Sequence, residues 1–161
     1  MDSGTQPRIV VGVDGSASSI EALRQAQRIA RGLGARIEAT ACWEAPRMSD
    51  QYELMGIGDF EKRARQILVE ALTAAYGPDR PSNVSAHLRQ GNPRPQLIEA
   101  SKDADILVLG RRGHGGFPGL LLGSVSSACI ARAHCPVLVV HAPPGTPQHQ
   151  APAAPVALPE D

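Results

Sequence analysis

The chain has 161 residues, its 16 basic and 16 acidic side chains give a formal net charge of zero, and only 3% of its residues are aromatic. This length fits one domain with a sizeable core, whereas the balanced charge and the scarcity of stacking rings argue against a nucleic-acid partner. No apolar run approaches the roughly 18 residues of a membrane span and the first residues lack the apolar core of a signal peptide, so we expect a cytoplasmic protein without a membrane partner.

The first part of the chain predicts a strand, a helix and a second strand. Arg8 to Val13 is a β-branched run that indicates a buried strand, and it ends on the carboxylate of Asp14. Ser18 and Glu21 have the spacing of a capping box, after which apolar residues recur at helical intervals. Arg36 to Trp43 then resumes strand character, weakened by alanine and polar residues.

The middle of the chain predicts a connection, a helix, a strand and a short helix. Residues 44–58 have no clean periodicity and are predicted as a long connection. Asp59 to Tyr76 has the pattern of an amphipathic helix, and Val84 to Leu88 that of a short strand. Residues 90–93 predict a turn, from which a helix of about residues 95–100 begins through proline.

The segment from Asp105 to Val140 predicts a buried strand, a glycine-rich loop, a helix start near Ser124 and a last buried strand, Val137 to Val140. After it the composition changes to proline and alanine with almost no charge. We therefore expect residues 142–161 to be a disordered tail.

Strands that alternate with helices predict an α/β fold, with a doubly wound parallel sheet of five strands and helices on both of its faces. In such a sheet, ligands bind beyond the carboxyl ends of the strands, where the winding reverses. If the strand order is 3-2-1-4-5, the reversal falls between strands one and four. The turn at Asp14 would then lie beside the glycine-rich loop.

The glycine-rich loop has the features of an anion site. No Asp or Glu occurs between Ile106 and Pro159, so backbone N–H groups there face no competing carboxylate. Small residues at the spacing G-x2-G-x9-G-S would let a phosphate approach the main chain closely, and they are Gly110, Gly113, Gly123 and Ser124. A solvated loop is the alternative, but the flanking buried strands favour the anion site. Neither the P-loop pattern nor the Rossmann fingerprint is present.

Backbone groups at the helix start are the predicted phosphate donors. We expect a phosphate on the N–H groups of Gly113, Gly123, Ser124 and Val125, with the hydroxyls of Ser124 and Ser126 as further donors.

Side chains near the loop have alternative roles. Asp14 could accept from a ribose hydroxyl or hold a phosphate-bound cation through water, or serve only as a turn residue. Arg111 and Arg112 could pair with a phosphate or stay solvated, and His114 could contact a γ-phosphate. No nucleophile or carboxylate stands near His114 to form an acid–base set.

Four stretches together resemble the universal stress protein family, specifically its ATP-binding branch: VVGVDGS, QGNP, ADILVLGRRGHGG and LLLGSVSSACIARAHCPVLVV. The resemblance covers residues 7–141, which we take as the domain, and the G-x2-G-x9-G-S pattern is that family's ATP-binding motif. It implies ATP as the ligand and leaves open whether Mg²⁺ accompanies it.

The resemblance also implies roles for individual residues. Asp14 would contact the ribose or the phosphates, Val13 and Cys42 would flank the adenine, and Val125 and Ser126 would continue the phosphate cradle. The complete predicted set is Val13, Asp14, Cys42, Gly110, Arg112, Gly113, Gly123, Ser124, Val125 and Ser126.

The resemblance further implies a homodimer through the last strand, Val137 to Val140. The sequence agrees, because this apolar edge would otherwise be exposed.

Three functions follow from these observations. The chain could bind ATP as a regulatory protein of the stress response, act as a slow ATPase or nucleotidyl-transfer enzyme in the same crevice, or form a dimeric scaffold without nucleotide. Efficient phosphoryl transfer needs a positioned base and charge neutralisation at the leaving phosphate. Beyond Asp14, His114 and the arginines the sequence shows no such set, so it favours binding over catalysis.

Overall fold

A computed structural model describes residues 4–45, 57–112 and 122–144 of the chain, with only the backbone of Ile57. Strands and helices alternate along these ranges, and one short 3-10 helix, Ser101–Asp103, precedes the fourth strand. The elements are β1 (Arg8–Gly12), α1 (Ala17–Leu33), β2 (Arg36–Trp43), α2 (Ile57–Tyr76), β3 (Val84–Gln90), α3 (Pro93–Ala100), β4 (Ile106–Gly110), α4 (Ser124–Arg132) and β5 (Val137–Val140).

The strands form one parallel sheet in the order β3-β2-β1-β4-β5, which confirms the predicted fold class and strand order. β1 lies at the centre, where Val10 is in register with Glu38 of β2 and with Leu107 of β4. Because β1 continues to β2 on one side while β4 lies on its other side, the winding reverses between β1 and β4. The carboxyl ends of these two strands therefore flank the predicted switch point.

Apolar layers cover both faces of the sheet. Alternate residues of each strand point to opposite faces, so a central strand needs apolar residues at nearly every position. One layer joins the strands to α1 and α2 and includes Ile9, Val11, Leu23, Ile37, Leu68 and Val108. The other joins them to α3 and α4 and includes Val10, Leu97, Leu107, Leu109 and Cys129.

The start of α1 differs from the prediction. Ser16, not Ser18, is the N-cap residue, and its Oγ accepts a hydrogen bond from the N–H of Ser19 at 3.2 Å. The predicted capping box of Ser18 and Glu21 is therefore wrong. The hydroxyl of Ser18 donates instead to the carbonyl oxygen of Arg112 at 2.6 Å, just beyond the end of β4.

An ion pair joins β1 to β2 near the amino ends of the strands. Arg8 donates from Nε and Nη2 to the two carboxylate oxygens of Glu38, at 2.7 and 2.6 Å. The Arg8 guanidinium holds the pKa of Glu38 below its ordinary value, mainly through these hydrogen bonds. The ion pair therefore links β1 to β2. The backbone N–H of Arg8 also donates to Asp105 at 2.8 Å, which links β1 to the residue before β4.

Three predictions fall partly or wholly outside the described residues. They are the connection over residues 46–56, the interior of the glycine-rich loop at 113–121, and the tail from residue 145 onward. Within the described ranges, none of the helices combines the length and the apolarity that a membrane crossing requires.

Candidate functional site

The turn after β1 directs a carboxylate toward the switch point. The N–H of Val13 donates to the carbonyl oxygen of Thr40 at 2.8 Å, so the chain stays parallel to β2 for one residue beyond the strand. Asp14 follows, and its Oδ1 accepts from the N–H of Ser16 at 2.9 Å. Gly15 has a φ of 83°, which favours glycine in this turn. The exposed carboxylate of Asp14 is thereby fixed through one oxygen, and among the described residues its Oδ2 has no hydrogen-bond partner.

A cleft of about 250 Å³ lies between the carboxyl ends of β1 and β2 and the first turns of α2. Complete ligand sites usually measure about 300–1,000 Å³, so this cleft has the size of a subsite for part of a ligand, such as a base. Its lining residues include Val13, Asp14, Cys42, Trp43, Phe60, Arg63 and Pro93.

Cys42 forms part of the apolar wall of this cleft. It is half-buried at the end of β2, and burial raises the pKa of its thiol to about 11. The thiol is therefore protonated at neutral pH and unsuited to nucleophilic attack. All three cysteines are free of disulfides, and burial also raises the pKa of Cys129 to about 11.

β4 ends against the first turn of α1. A Cβ atom on Gly110 would lie 2.7 Å from the carbonyl carbon of Ser18 and 2.7 Å from the nitrogen of Ser19, closer than Cβ contacts in real structures. Glycine is therefore required here by close packing of backbone on backbone, in addition to any contact with a ligand.

Two hydrogen bonds join the two ends of the glycine-rich segment. The hydroxyl of Ser126 donates to the carbonyl oxygen of Gly110 at 2.7 Å. The N–H of Gly123 donates to the carbonyl oxygen of Arg111 at 2.8 Å. Two of the predicted phosphate donors, the Gly123 N–H and the Ser126 hydroxyl, are thus used within the protein.

The start of α4 presents backbone donors at this position. Gly123 is the N-cap residue, with extended backbone angles and no side-chain capping bond, and its carbonyl accepts from the N–H of Ser127 at 3.0 Å. The N–H groups of the first helical residues, Ser124, Val125 and Ser126, have no partner inside the helix, because they precede its first internal hydrogen bond. Such a helix start attracts anions.

The structure brings most of the predicted residues to two adjoining places. Val13, Asp14 and Cys42 line the cleft, while Gly110 meets the start of α4. Arg112 is half-buried, and its carbonyl accepts from Ser18 in the first turn of α1. Gly113 and His114 lie outside the described residues.

Sequence reasoning missed the contribution of α2 and its surroundings to the cleft. The amphipathic pattern of α2 assigned no role at a site to Phe60 or Arg63, yet both line the cleft with Trp43 and Pro93. The available signal was the position of Phe60 in the first turn, where a helix packed on a sheet reaches beyond the strand ends.

The described part of the chain contains no group of three or more His, Cys, Asp or Glu side chains placed to hold a metal ion. Two acidic residues, Asp14 and Glu44, are among those that line the cleft.

Comparisons with known proteins identify a family. The family model described as "Universal stress protein family" matches residues 7–141. A universal stress protein of Mycolicibacterium smegmatis is 34% identical over 138 residues, which cover 82% of this chain and 45% of that protein. One from Mycobacterium tuberculosis is 40% identical over 95 residues, covering 55% of this chain and 32% of that protein. The chain thus spans between a third and a half of the length of these relatives.

Solved structures agree in fold. The universal stress protein UspA from Lactobacillus plantarum has a TM-score of 0.70 at 21% identity, covering 85% of this chain and 99% of that chain. A universal stress protein crystallised in complex with cAMP has a TM-score of 0.65 at 28% identity, covering 84% of this chain and 97% of that chain.

Proposed function

The chain belongs to the universal stress protein family, and on that premise we propose that it is an adenine-nucleotide-binding protein that takes ATP and acts as a regulator in the stress response. The observation that carries the proposal is the position of the Asp14 turn and the start of α4, which lie at the carboxyl ends of the adjacent strands β1 and β4. The proposed base subsite and the proposed anion subsite would thereby be neighbours at the switch point.

Each part of the nucleotide has a candidate partner. The cleft between Val13 and Cys42 would hold the adenine. Asp14 Oδ2 would accept from a ribose hydroxyl. The N–H groups of Ser124, Val125 and Ser126 would bind phosphate oxygens. The 28% identical relative that was crystallised with cAMP supports an adenine nucleotide, and the complete G-x2-G-x9-G-S pattern supports ATP in particular.

We propose binding rather than turnover. Asp14 is the one carboxylate among the predicted site residues, and one of its oxygens is used by the N–H of Ser16. The alternative to the ribose contact is that Asp14 holds, through water, an Mg²⁺ ion that accompanies the phosphates of ATP. A cytoplasmic location and the absence of a nucleic-acid partner stay predictions from composition.

We further propose a homodimer through β5. This strand is one edge of the sheet. Leu138 on it is 37% exposed, and Ile130 on the neighbouring α4 is 50% exposed. An exposed apolar edge invites pairing with another strand, and a second copy of β5 would cover it.

Identification of the bound ligand tests the nucleotide proposal. The protein would be purified without added nucleotide and denatured, and the supernatant analysed by mass spectrometry; calorimetry would then measure binding of ATP and cAMP. We expect ATP to accompany the protein or to bind after its removal.

Asp14→Ala should weaken ATP binding by about tenfold, because a hydrogen bond to a charged group is lost.

Asp79→Ala is the matched control, because Asp79 is also exposed but lies between α2 and β3. It should leave the affinity unchanged. A wild-type protein that carries no nucleotide and binds none in the calorimeter would refute the proposal.

A further inference from the structure

Ser18 makes a contact that its position in α1 does not require. It is 6% exposed in the first turn of the helix, and Ser16 already caps that turn. Its hydroxyl donates to the carbonyl oxygen of Arg112 at 2.6 Å, and its Oγ lies 3.4 Å from the Arg112 nitrogen. A serine hydroxyl is both a donor and an acceptor, so one side chain contacts both backbone polar groups of Arg112.

Close packing makes this contact possible. Gly110 lies against the backbone of Ser18 and Ser19, where there is no room for a Cβ atom. Two residues later the chain reaches Arg112, the last described residue before the interior of the glycine-rich loop. The hydroxyl of Ser18 therefore fixes the backbone at the point where it leaves β4 for the loop.

The residues before Arg112 are held from other directions. The N–H of Arg111 donates to the carbonyl oxygen of Val140 at 2.7 Å, and the carbonyl of Arg111 accepts from Gly123. The carbonyl of Gly110 accepts from Ser126. These contacts link β4 to β5 and to the start of α4, whereas Ser18 links the same stretch to α1.

The same turn of α1 is connected to Asp14. The N–H of Asp14 lies 3.4 Å from the Oγ of Ser19, and Asp14 Oδ1 accepts from the N–H of Ser16. The first turn of α1 therefore contacts both Asp14, the proposed partner of the ribose, and Arg112, just beyond the end of β4. The contact of Ser18 holds Arg112 at a fixed distance from the Asp14 turn.

We propose that Ser18 is a positioning residue for the proposed phosphate subsite, which we define as residues 110–112 and 123–126: its hydroxyl holds the backbone N–H and C=O of Arg112 in place beside the Asp14 turn, and it thereby sets the affinity for the phosphates of the nucleotide without touching them. This inference rests on the proposed nucleotide function. It assigns Ser18 no contact with the base or the ribose, so its effect is confined to phosphate recognition.

Calorimetry with ATP and with adenosine tests the assignment. In Ser18→Ala, ATP binding should weaken roughly three- to tenfold, the effect of losing one hydrogen bond, while adenosine binding stays within about twofold of the wild-type value. Alanine is the best helix former, so α1 should remain folded. Unchanged ATP affinity, or an equal loss for both ligands, would overturn the inference, because an equal loss indicates a general structural role.

Ser101→Ala is the matched control. Ser101 is fully buried, its hydroxyl donates to Ile98 at 2.6 Å and accepts from the N–H of His134 at 2.9 Å, and it lies before β4, near the amino ends of the strands. Its replacement should alter thermal stability while leaving the ratio of ATP to adenosine affinity unchanged. A changed ratio in this control would contradict the specific role of Ser18.

Hydrogen exchange supplies a readout that does not depend on affinity. Amides of Gly110 to Arg112 and of Gly123 to Ser126 should exchange faster in Ser18→Ala than in the wild type, and those of β2 should not. Equal exchange would refute the positioning role. Failure of the proposed function looks different, because the wild-type protein would then bind neither ATP nor adenosine. Wild-type binding of both ligands with equal affinity would refute the role of Ser18 together with the phosphate contacts proposed for the start of α4, but not the binding of the adenosine part.

Discussion

Gly110 and Gly12 end the two central strands at positions where a side chain would meet packed atoms. A Cβ atom on Gly12 would lie 2.6 Å from Cδ2 of Leu109, at the tip of a side chain. A Cβ atom on Gly110 would meet backbone atoms of α1, which cannot turn away. Gly110 is thus the more demanding of the two positions, although its place in the G-x2-G-x9-G-S pattern suggested only a phosphate contact.

Replacement of Gly110 by alanine should destabilise the fold even without nucleotide. We expect Gly110→Ala to lower the free energy of unfolding by about 1–3 kcal/mol, the usual cost of overpacking, as measured by urea denaturation. Gly32→Ala is the control, because no atom lies within 4 Å of the new Cβ and alanine favours the helix. It should raise stability by up to about 1 kcal/mol. Equal stability of Gly110→Ala and wild type would contradict the packing argument.

Local sequence patterns failed at Ser18 for a physical reason. The capping-box spacing is a local signal, but the hydroxyl of Ser18 has its partner 94 residues away, at Arg112. Ser16 then serves as the cap. No pattern within one helix turn could reveal a partner so distant in sequence. The cleft residue Phe60 was not predicted for the same reason, because Val13, Cys42 and Pro93, which line the cleft with it, are distant from it in sequence.

The bounds of β2 and β5 were predicted most closely, because both strands begin and end at the predicted residues. β5 is a continuous apolar run, which is typical of parallel strands, whereas β2 matches its prediction although it contains alanine and polar residues. β3 was predicted to end at Leu88 but continues to Gln90, since its last residues pair with β2 up to Trp43. The last residues of this edge strand are therefore set by pairing with β2, and not by their own hydrophobic pattern.

The direction of backbone groups on the two edge strands gives a test of the proposed dimer. The carbonyls of Pro136 and Val140 accept from the N–H groups of Leu107 and Arg111, so the backbone groups of Pro136 and Val140 face β4. Backbone groups of successive residues point to opposite sides of a strand, so the N–H of Val139 faces outward. Val139→Pro removes this outward donor without breaking a bond to β4. We expect it to convert the dimer to a monomer in sedimentation experiments.

The opposite edge supplies the control for that test. Asn83 and Gly91 bond to β2, so the N–H of Ala86 faces outward from β3. Ala86→Pro should remain dimeric. A wild-type monomer would refute the proposed dimer, and loss of dimerisation in Ala86→Pro alone would move the interface to β3.

At the scale of the whole molecule, the ion pair of Arg8 and Glu38 links folding stability to pH. The pKa of Glu38 is lowered in the folded protein, so the folded state favours the charged carboxylate. The pair's contribution is fully present above the pKa of an unfolded glutamate, near 4.3, and is lost as the pH falls through the lower folded value.

Glu38→Gln should reduce this dependence. At pH 7 we expect its free energy of unfolding to fall by about 1–2 kcal/mol, since the side chains of Arg8 and Glu38 are only 13% and 16% exposed. The difference from wild type should shrink between pH 5 and pH 3, measured by urea denaturation. Glu61→Gln, which breaks an exposed pair with Arg65, should change stability by only a few tenths of a kcal/mol. A difference that is constant with pH would contradict the linkage.

The central place of β1 in the sheet has a consequence for how the protein is made. β1 is synthesised before the other described strands of this sheet, but its partner β4 follows only after about 90 further residues. At roughly 5–20 residues per second, a ribosome needs about 5–20 s to supply them. During this interval the nascent chain can form β1, β2 and β3 but leaves one side of β1 open. The side of β1 that faces β4 in the folded protein is therefore an exposed strand edge during synthesis, when pairing with other chains is a hazard.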